Sequence, residues 1–133
     1  MILLDTHVLL WMDADDAQLG PQARQAIVQA WRSTGVAVSA ITFWEVAMLV
    51  QRGRVELPVP VAQWHAELLR SGVRECPLDG RVALAATALE GLHRDPADRF
   101  IAATALQQGA TLVTADQALL NWVSPMPRID ARS

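Results

Sequence analysis

The chain has 133 residues, of which 52% are hydrophobic, and its formal net charge at pH 7 is −3. This length allows a substantial hydrophobic core, and the composition excludes a disordered chain. No apolar run approaches the ~20 residues that a membrane-spanning helix needs, so we expect no membrane segment.

Short apolar runs alternate with longer helical patterns along the chain. Strands are predicted at 1–4, 36–39, 73–76, 111–114 and 128–130. Helices are predicted at 6–12, 21–33, 41–52, 61–70, 79–89 and 96–108. This alternation predicts one α/β domain over residues 1–133, with a parallel sheet covered by helices on both faces.

Two further properties narrow the class of protein. All of the Lys+Arg total of 11 is arginine. The absence of lysine argues against P-loop NTPases, receiver-domain phosphoacceptors and aspartate-nucleophile phosphatases, which normally place a lysine beside the phosphate. The first residues lack the basic region and cleavage site of a signal peptide, and the single cysteine, Cys76, excludes an internal disulfide. We therefore expect a protein of the reducing cytoplasm.

Acidic residues follow two of the predicted strands directly or almost directly. Asp5 comes after the strand at 1–4, and Asp116 comes after the strand at 111–114. Ligands of open parallel sheets bind beyond the carboxyl ends of the strands, where the strand order reverses. Both aspartates could cap a following helix, but they also stand where a site would form.

Glu45 stands alone among apolar residues in the segment ITFWEVAMLV. On a helix its neighbours are Ile41, Met48 and Leu49, so the carboxylate would lie on an apolar stripe. Burying a lone carboxylate costs several kcal/mol unless the charge is neutralised or paired. The alternative is a partly exposed glutamate at the edge of the helix.

The segment HRDPADRF contains two aspartates at the start of a predicted helix. Asp95 suits the N-cap position before Pro96, where its side chain can accept a hydrogen bond from a free amide. Counting 100° per residue, Asp98 shares a face with Ala102 and Ala105, which should meet the sheet. The helix dipole favours an acid here by only ~0.3–1 kcal/mol, which does not explain an inward-facing carboxylate.

Asp5, Glu45, Asp98 and Asp116 therefore form a candidate acidic cluster. At ~5 Å separation each pair of charges would repel by roughly 3 kcal/mol at an effective dielectric constant of about 20, so the cluster would need a cation. Oxygen ligands select Mg²⁺ or Mn²⁺ over zinc. The three histidines and the cysteine lack the spacing of a zinc site, and we expect them on the surface or in the core.

Four segments of the chain resemble, in order, those of the PIN-domain ribonucleases, and closely those of the VapC-type toxins of bacterial toxin–antitoxin modules. The segments are LLDTHVLLW at 3–11, SAITFWEVA at 39–47, DPADRFIAATA at 95–105 and TLVTAD at 111–116. Together they span nearly the whole chain. The resemblance implies a three-layer α/β/α sandwich with a mainly parallel central sheet, and metal-dependent endonuclease activity on RNA.

The resemblance also implies which residues form the site. The metal-binding and catalytic acids would be Asp5, Glu45, Asp98 and Asp116, with Mg²⁺ as the cofactor and Mn²⁺ as a possible substitute. The hydroxyls that match the family pattern could equally form turn and cap hydrogen bonds; they belong to Thr6, Ser39 and Thr114. Asp95 is the second acid of its motif, and Arg99 could contact substrate phosphate or pair with a surface acid. Further candidates for phosphate contact are Arg52, Arg54, Arg94 and Arg128.

Members of this family are restrained by an antitoxin that docks along a hydrophobic groove. The helix at 41–50 is more apolar than one core face requires, with Trp44, Met48 and Val50 in excess. It could hold the antitoxin or a homodimer contact, or it could be fully buried.

Two other functions stay open: a DNA-directed or structure-specific nuclease on the same scaffold, and a catalytically silent RNA- or protein-binding module. The intact set of four acids argues against the silent module, because clustered negative charge adds little to a binding surface.

Overall fold

The computed structural model describes residues 1–133 as five strands and seven helices. The strands are β1 (Ile2–Leu4), β2 (Val36–Ser39), β3 (Arg74–Cys76), β4 (Thr111–Thr114) and β5 (Arg128–Asp130). The helices are α1 (Thr6–Asp13), α2 (Pro21–Arg32), α3 (Ile41–Gln51), α4 (Val61–Ser71), α5 (Gly80–Ala88), α6 (Pro96–Gln108) and α7 (Gln117–Asn121). Every predicted element is present with bounds within one residue, whereas α7 was not predicted.

The five strands form one all-parallel sheet in the order β3-β2-β1-β4-β5. From β1 the chain first extends the sheet on one side through β2 and β3, and then on the other through β4 and β5. The strand order therefore reverses between β1 and β4. A crevice is expected at the carboxyl ends of these two strands.

Each face of the sheet is covered by its own group of helices. Ile2 and Leu4 of β1 pack in one cluster with residues of α1 to α4, whereas Leu3 packs in a second cluster with residues of α6 and α7. This alternation follows from the two-residue period of a strand, which sends successive side chains to opposite faces. The predicted α/β/α sandwich is confirmed. None of the helices has both the length and the apolar composition that a membrane-spanning helix requires.

Helix α3 is not fully buried, so that alternative from the sequence is wrong. Trp44 of this helix is 58% exposed, and Met48, one turn further along, is half-buried. Only Thr42 and Val46 of this helix are buried. We call the outward face that carries Trp44 and Met48 the α3 surface.

Candidate active site

A cavity of about 440 Å³ lies beyond the carboxyl ends of β1 and β4, at the crevice that the strand order predicts. Its acidic lining consists of Asp5, Glu45, Asp95, Asp98 and Asp116. These residues come from four separate segments of the chain, which the parallel sheet brings to one edge. All four acids of the predicted cluster therefore line one cavity.

Asp5 is both a helix cap and part of the cavity wall. It is buried, its Oδ1 accepts a hydrogen bond from the amide of Thr6 at 2.8 Å, and its Oδ2 accepts one from Oγ1 of Thr114 at 2.6 Å. Burial raises the pKa of the Asp5 carboxyl, and the hydrogen bonds from Thr114 and Thr6 partly oppose the rise. The sequence offered the helix cap and the site as alternative roles for Asp5, and the structure shows both.

Thr114 connects Asp5 to Asp116. Its Oγ1 donates to Asp5 and also accepts a hydrogen bond from the amide of Asp116 at 3.0 Å. Asp116 in turn caps α7, with Oδ1 accepting from the amides of Ala118 and Leu119 at 2.8 and 3.2 Å. Because both bonds use Oδ1, Oδ2 of Asp116 is left to bind a ligand in the cavity.

Glu45 reaches the cavity from α3 and is held by a threonine of α1. Oγ1 of Thr6 donates to Oε1 of Glu45 at 2.5 Å and lies 3.1 Å from Oγ1 of Thr42. Glu45 is half-buried, which matches the alternative of a partly exposed glutamate at the edge of the helix. Its carboxylate nevertheless lines the cavity. Burial raises the pKa of Glu45, the charges of Asp5 and Asp95 raise it further, and the Thr6 hydrogen bond lowers it.

The two aspartates at the start of α6 have different positions, as their helical angles predict. Asp95 is the N-cap, and its Oδ1 accepts from the amides of Ala97 and Asp98 at 3.0 and 3.4 Å. Asp98 is only 9% exposed and shares its buried face with Ala102. The cap therefore fixes the first turn, which directs Asp98 into the cavity.

Asp98 lies among the charges of four other carboxylates, those of Asp5, Asp95, Asp116 and Glu45. Burial, followed by the charges of the surrounding carboxylates, raises its pKa to about 8. No arginine lies within 4.0 Å of the carboxylate oxygens of Asp5, Glu45, Asp98 or Asp116. The carboxylates are thus gathered without a direct ion pair to arginine, although Arg132 lines the same cavity.

His93 lies beside this cluster, although its sequence spacing predicts no metal role. Its Nε2 is 3.1 Å from Oδ2 of Asp98. One donor atom each of His93, Asp98 and Asp116 lies within 4.8 Å of the others, which is a suitable spacing for a shared metal ion. Carboxylate oxygens favour Mg²⁺ or Mn²⁺, whereas an imidazole nitrogen is more typical of Zn²⁺ or Fe²⁺. The residues therefore fit a divalent cation.

The sequence profile of the PIN domain matches residues 2–121. The chain belongs to the PIN-domain family. It is also 39% identical over 127 residues to Ribonuclease VapC22 of Mycobacterium tuberculosis, a match that covers 95% of both chains. The resemblance to PIN-domain and VapC-type proteins is thus confirmed.

Solved structures show the same fold. VapBC2 from Rickettsia felis, bound to a DNA fragment from its promoter, includes a chain with a TM-score of 0.72 and 17% identity. That match covers 97% of the present chain and 98% of the other. A toxin–antitoxin complex from Klebsiella pneumoniae gives a TM-score of 0.65 at 21% identity, with 98% of both chains covered.

Arg99 has a structural role in this PIN domain, in place of the two roles considered from the sequence. Its guanidinium donates to the main-chain oxygens of Ala86, Leu89 and Leu92 at 3.0, 2.8 and 3.0 Å. It makes no ion pair with an acid. Arg99 thus ties the segment before α6, which carries His93, to the helix itself.

Arg128 is likewise occupied by main-chain oxygens, so phosphate contact is the wrong interpretation for it. It donates to Leu119, Trp122 and Ser124 at 2.6, 2.6 and 2.9 Å. Ser39 is buried and accepts from the amide of Ile41 at 3.2 Å, which matches its turn role, and it does not line the cavity.

The remaining cavity residues of the PIN domain were not found from sequence. They are His7, Trp11, Gln18, Ala115 and Arg132, whereas Thr6, which also lines the cavity, was a candidate from the sequence. Arg132 had a usable signal, because it lies two residues beyond β5 and therefore at the same carboxyl edge as Asp116. No sequence signal pointed to Trp11, because it is one of several apolar residues in α1.

Proposed function

We propose that this PIN-domain protein is a Mg²⁺-dependent endoribonuclease, with residues 1–133 acting as one nuclease domain in the cytoplasm. The observation that carries the proposal is the convergence of Asp5, Glu45, Asp98 and Asp116 on one cavity without an arginine partner. The relationship to Ribonuclease VapC22 supports RNA as the substrate. A catalytically silent binding module is disfavoured. The clustered carboxylates raise the pKa of Asp98, so they make its charged form unfavourable, and a binding surface would gain nothing from that cost.

Each acid has a distinct task in this proposal. Asp5, Asp98 and Asp116 hold one or two Mg²⁺ ions, and Glu45 binds a second ion or orients the attacking water. Bound Mg²⁺ would lower the pKa of water and stabilise negative charge on the phosphate. Thr114 and Thr6 keep Asp5 and Glu45 in position through hydrogen bonds of 2.6 and 2.5 Å.

Analysis of the cleaved ends tests the reaction type. Water as the nucleophile leaves a 5′-phosphate and a 3′-hydroxyl, whereas attack by the 2′-hydroxyl of RNA leaves a 2′,3′-cyclic phosphate. We expect the first pair of ends with Mg²⁺ or Mn²⁺, and no cleavage in EDTA. Cyclic phosphate ends would contradict the proposed mechanism. Cleavage of single-stranded DNA in preference to RNA would favour the alternative of a DNA-directed nuclease.

The proposal includes the role of toxin in a toxin–antitoxin pair. It is supported by the VapC relationship and by the α3 surface, where Trp44 is 58% exposed. We place the antitoxin on this surface, with a homodimer contact as the alternative occupant. Induced expression should arrest bacterial growth, and Asp98→Asn should relieve the arrest at equal protein level. If Trp44→Ser abolishes dimerisation of the isolated protein, the surface is the homodimer contact instead.

A further inference from the structure

Arg132 places a positive charge on the wall of an otherwise acidic cavity. It is exposed, and it is the one arginine that lines the cavity with the four catalytic acids. Its Nη1 donates to the main-chain oxygen of Ala115 at 3.0 Å, and no carboxylate lies within 4.0 Å of it. The rest of its guanidinium has no protein partner, so this charge is available to a ligand.

The side chain of Arg132 is oriented by an aromatic ring. Its Cζ lies 5.2 Å from the ring centroid of Trp11, which is nearly buried beneath it. This cation–π contact and the bond to Ala115 hold the guanidinium at the cavity. An arginine held in this way loses less conformational freedom on binding than an unrestrained one.

The main chain around Arg132 is fixed on both sides. Ala131 donates to the main-chain oxygen of Thr114 at 2.9 Å and accepts from the amide of Gly20 at 2.8 Å. Two amides in the first turn of α2 donate to the main-chain oxygen of Ser133 at 3.1 and 3.2 Å. A Cβ at Gly20 would lie 2.0 Å from that oxygen, so the close approach requires glycine. Residues 131–133 are therefore anchored, and the position of Arg132 is built into the fold.

We propose that Arg132 is a phosphate-binding residue that engages a phosphodiester of single-stranded RNA next to the one cleaved. A guanidinium matches the non-bridging oxygens of a phosphate with two parallel hydrogen bonds. The cavity needs such a group, because its carboxylates repel the RNA backbone wherever bound metal does not neutralise them. This inference rests on the proposed nuclease function.

Binding of RNA without cleavage tests the inference. The probe is a fluorescein-labelled single-stranded RNA of mixed sequence, titrated with Mg²⁺ in a Glu45→Gln background and followed by fluorescence anisotropy. We expect Arg132→Ala to raise the Kd roughly tenfold, as for the loss of a charged hydrogen bond. The slope of log K against log salt should fall by about 0.7, the value for one phosphate contact on a single strand. Arg132→Lys should keep the slope but not the full affinity.

Arg32 provides a matched control. It is an exposed arginine that ends α2, at the opposite end of that helix from Gly20 and the cavity, and it makes no ion pair. Arg32→Ala should leave both affinity and salt slope unchanged. If Arg132→Ala binds like Arg32→Ala, or loses affinity with an unchanged salt slope, the phosphate role is overturned. The second outcome would instead indicate a packing role against Trp11.

Kinetics in the Glu45-containing protein separate this inference from the nuclease proposal. We expect Arg132→Ala to raise KM more than it lowers kcat, because the contact forms already in the bound substrate. If wild type cleaves RNA and Arg132→Ala matches Arg32→Ala in both constants, the inference fails and the nuclease stands. If wild type binds RNA through Arg132 but never cleaves it with Mg²⁺ or Mn²⁺, the nuclease fails and the phosphate contact stands.

Discussion

Oγ1 of Thr6 donates a hydrogen bond to Oε1 of Glu45 over 2.5 Å, joining the helices that follow β1 and β2. Thr114 does the same for Asp5 over 2.6 Å, across the β1–β4 pair. In each case a neutral hydroxyl holds a carboxylate that burial and neighbouring charges would otherwise disfavour. The acids are thus positioned for a cation before it binds.

Replacing Thr114 by valine should weaken Mg²⁺ binding. The change removes the hydrogen bond to Asp5, so the pKa of Asp5 should rise further and protons should compete more strongly with the metal. Titration calorimetry at neutral pH measures the affinity. Thr104→Val is the control, because Thr104 does not line the cavity and its buried hydroxyl donates to the main-chain oxygen of Phe100. Equal Mg²⁺ affinity in the two variants would show that Thr114 does not position the acids.

The stability of the metal-free protein should fall as the pH rises from about 4 to about 8. The pKa of Asp98 is raised to about 8 in the folded chain but is ~3.9 in an unfolded one. Between these values the folded state binds the extra proton, so each rise in pH favours unfolding. Urea midpoints in EDTA at several pH values measure the effect. Asp98→Asn should flatten the dependence and be more stable than wild type at pH 8; an identical pH profile would contradict the buried-charge account.

Asp95→Ala should lower stability by ~1 kcal/mol through the lost N-cap and leave most of the activity. Asp79→Ala is the matched control, because Asp79 caps α5 with a 3.0 Å bond to the amide of Val82 and does not line the cavity. Chemical unfolding and RNA cleavage are measured on both. Activity lost at native stability in Asp95→Ala alone would place Asp95 among the metal ligands.

Glu45→Gln should abolish most RNA cleavage, since a neutral amide holds a cation more weakly than a carboxylate does and cannot accept a proton from water. Its stability should not fall, because burial already disfavours the charged form of Glu45. The control is Glu67→Gln on α4, which removes an exposed carboxylate bonded only to Gln63. Normal cleavage by Glu45→Gln would remove Glu45 from the mechanism.

Much of this arrangement follows from local sequence rules, and the exceptions have physical reasons. Counting helical angles correctly assigned Asp95 to the N-cap and Asp98 to the buried face, because both positions are determined within one turn of the helix. The partners of Arg99 and Arg128 are main-chain oxygens at the ends of α5 and α7 and in the irregular segments that follow these helices, whose path no residue pattern specifies. His93 lies in such a segment, so only the folded chain shows its approach to Asp98. Helix α7 has five residues, too few for a periodic signal.

Cleavage of single-stranded RNA by wild type and Asp98→Asn, each with Mg²⁺ and with EDTA, tests the central claim most directly. Asp98 is a buried acid whose charge four neighbouring carboxylates disfavour, and a bound cation would offset that cost. The account predicts cleavage by wild type with Mg²⁺, none in EDTA, and none by the folded Asp98→Asn variant under either condition. Cleavage by Asp98→Asn at the wild-type rate, or by wild type in EDTA, would contradict it.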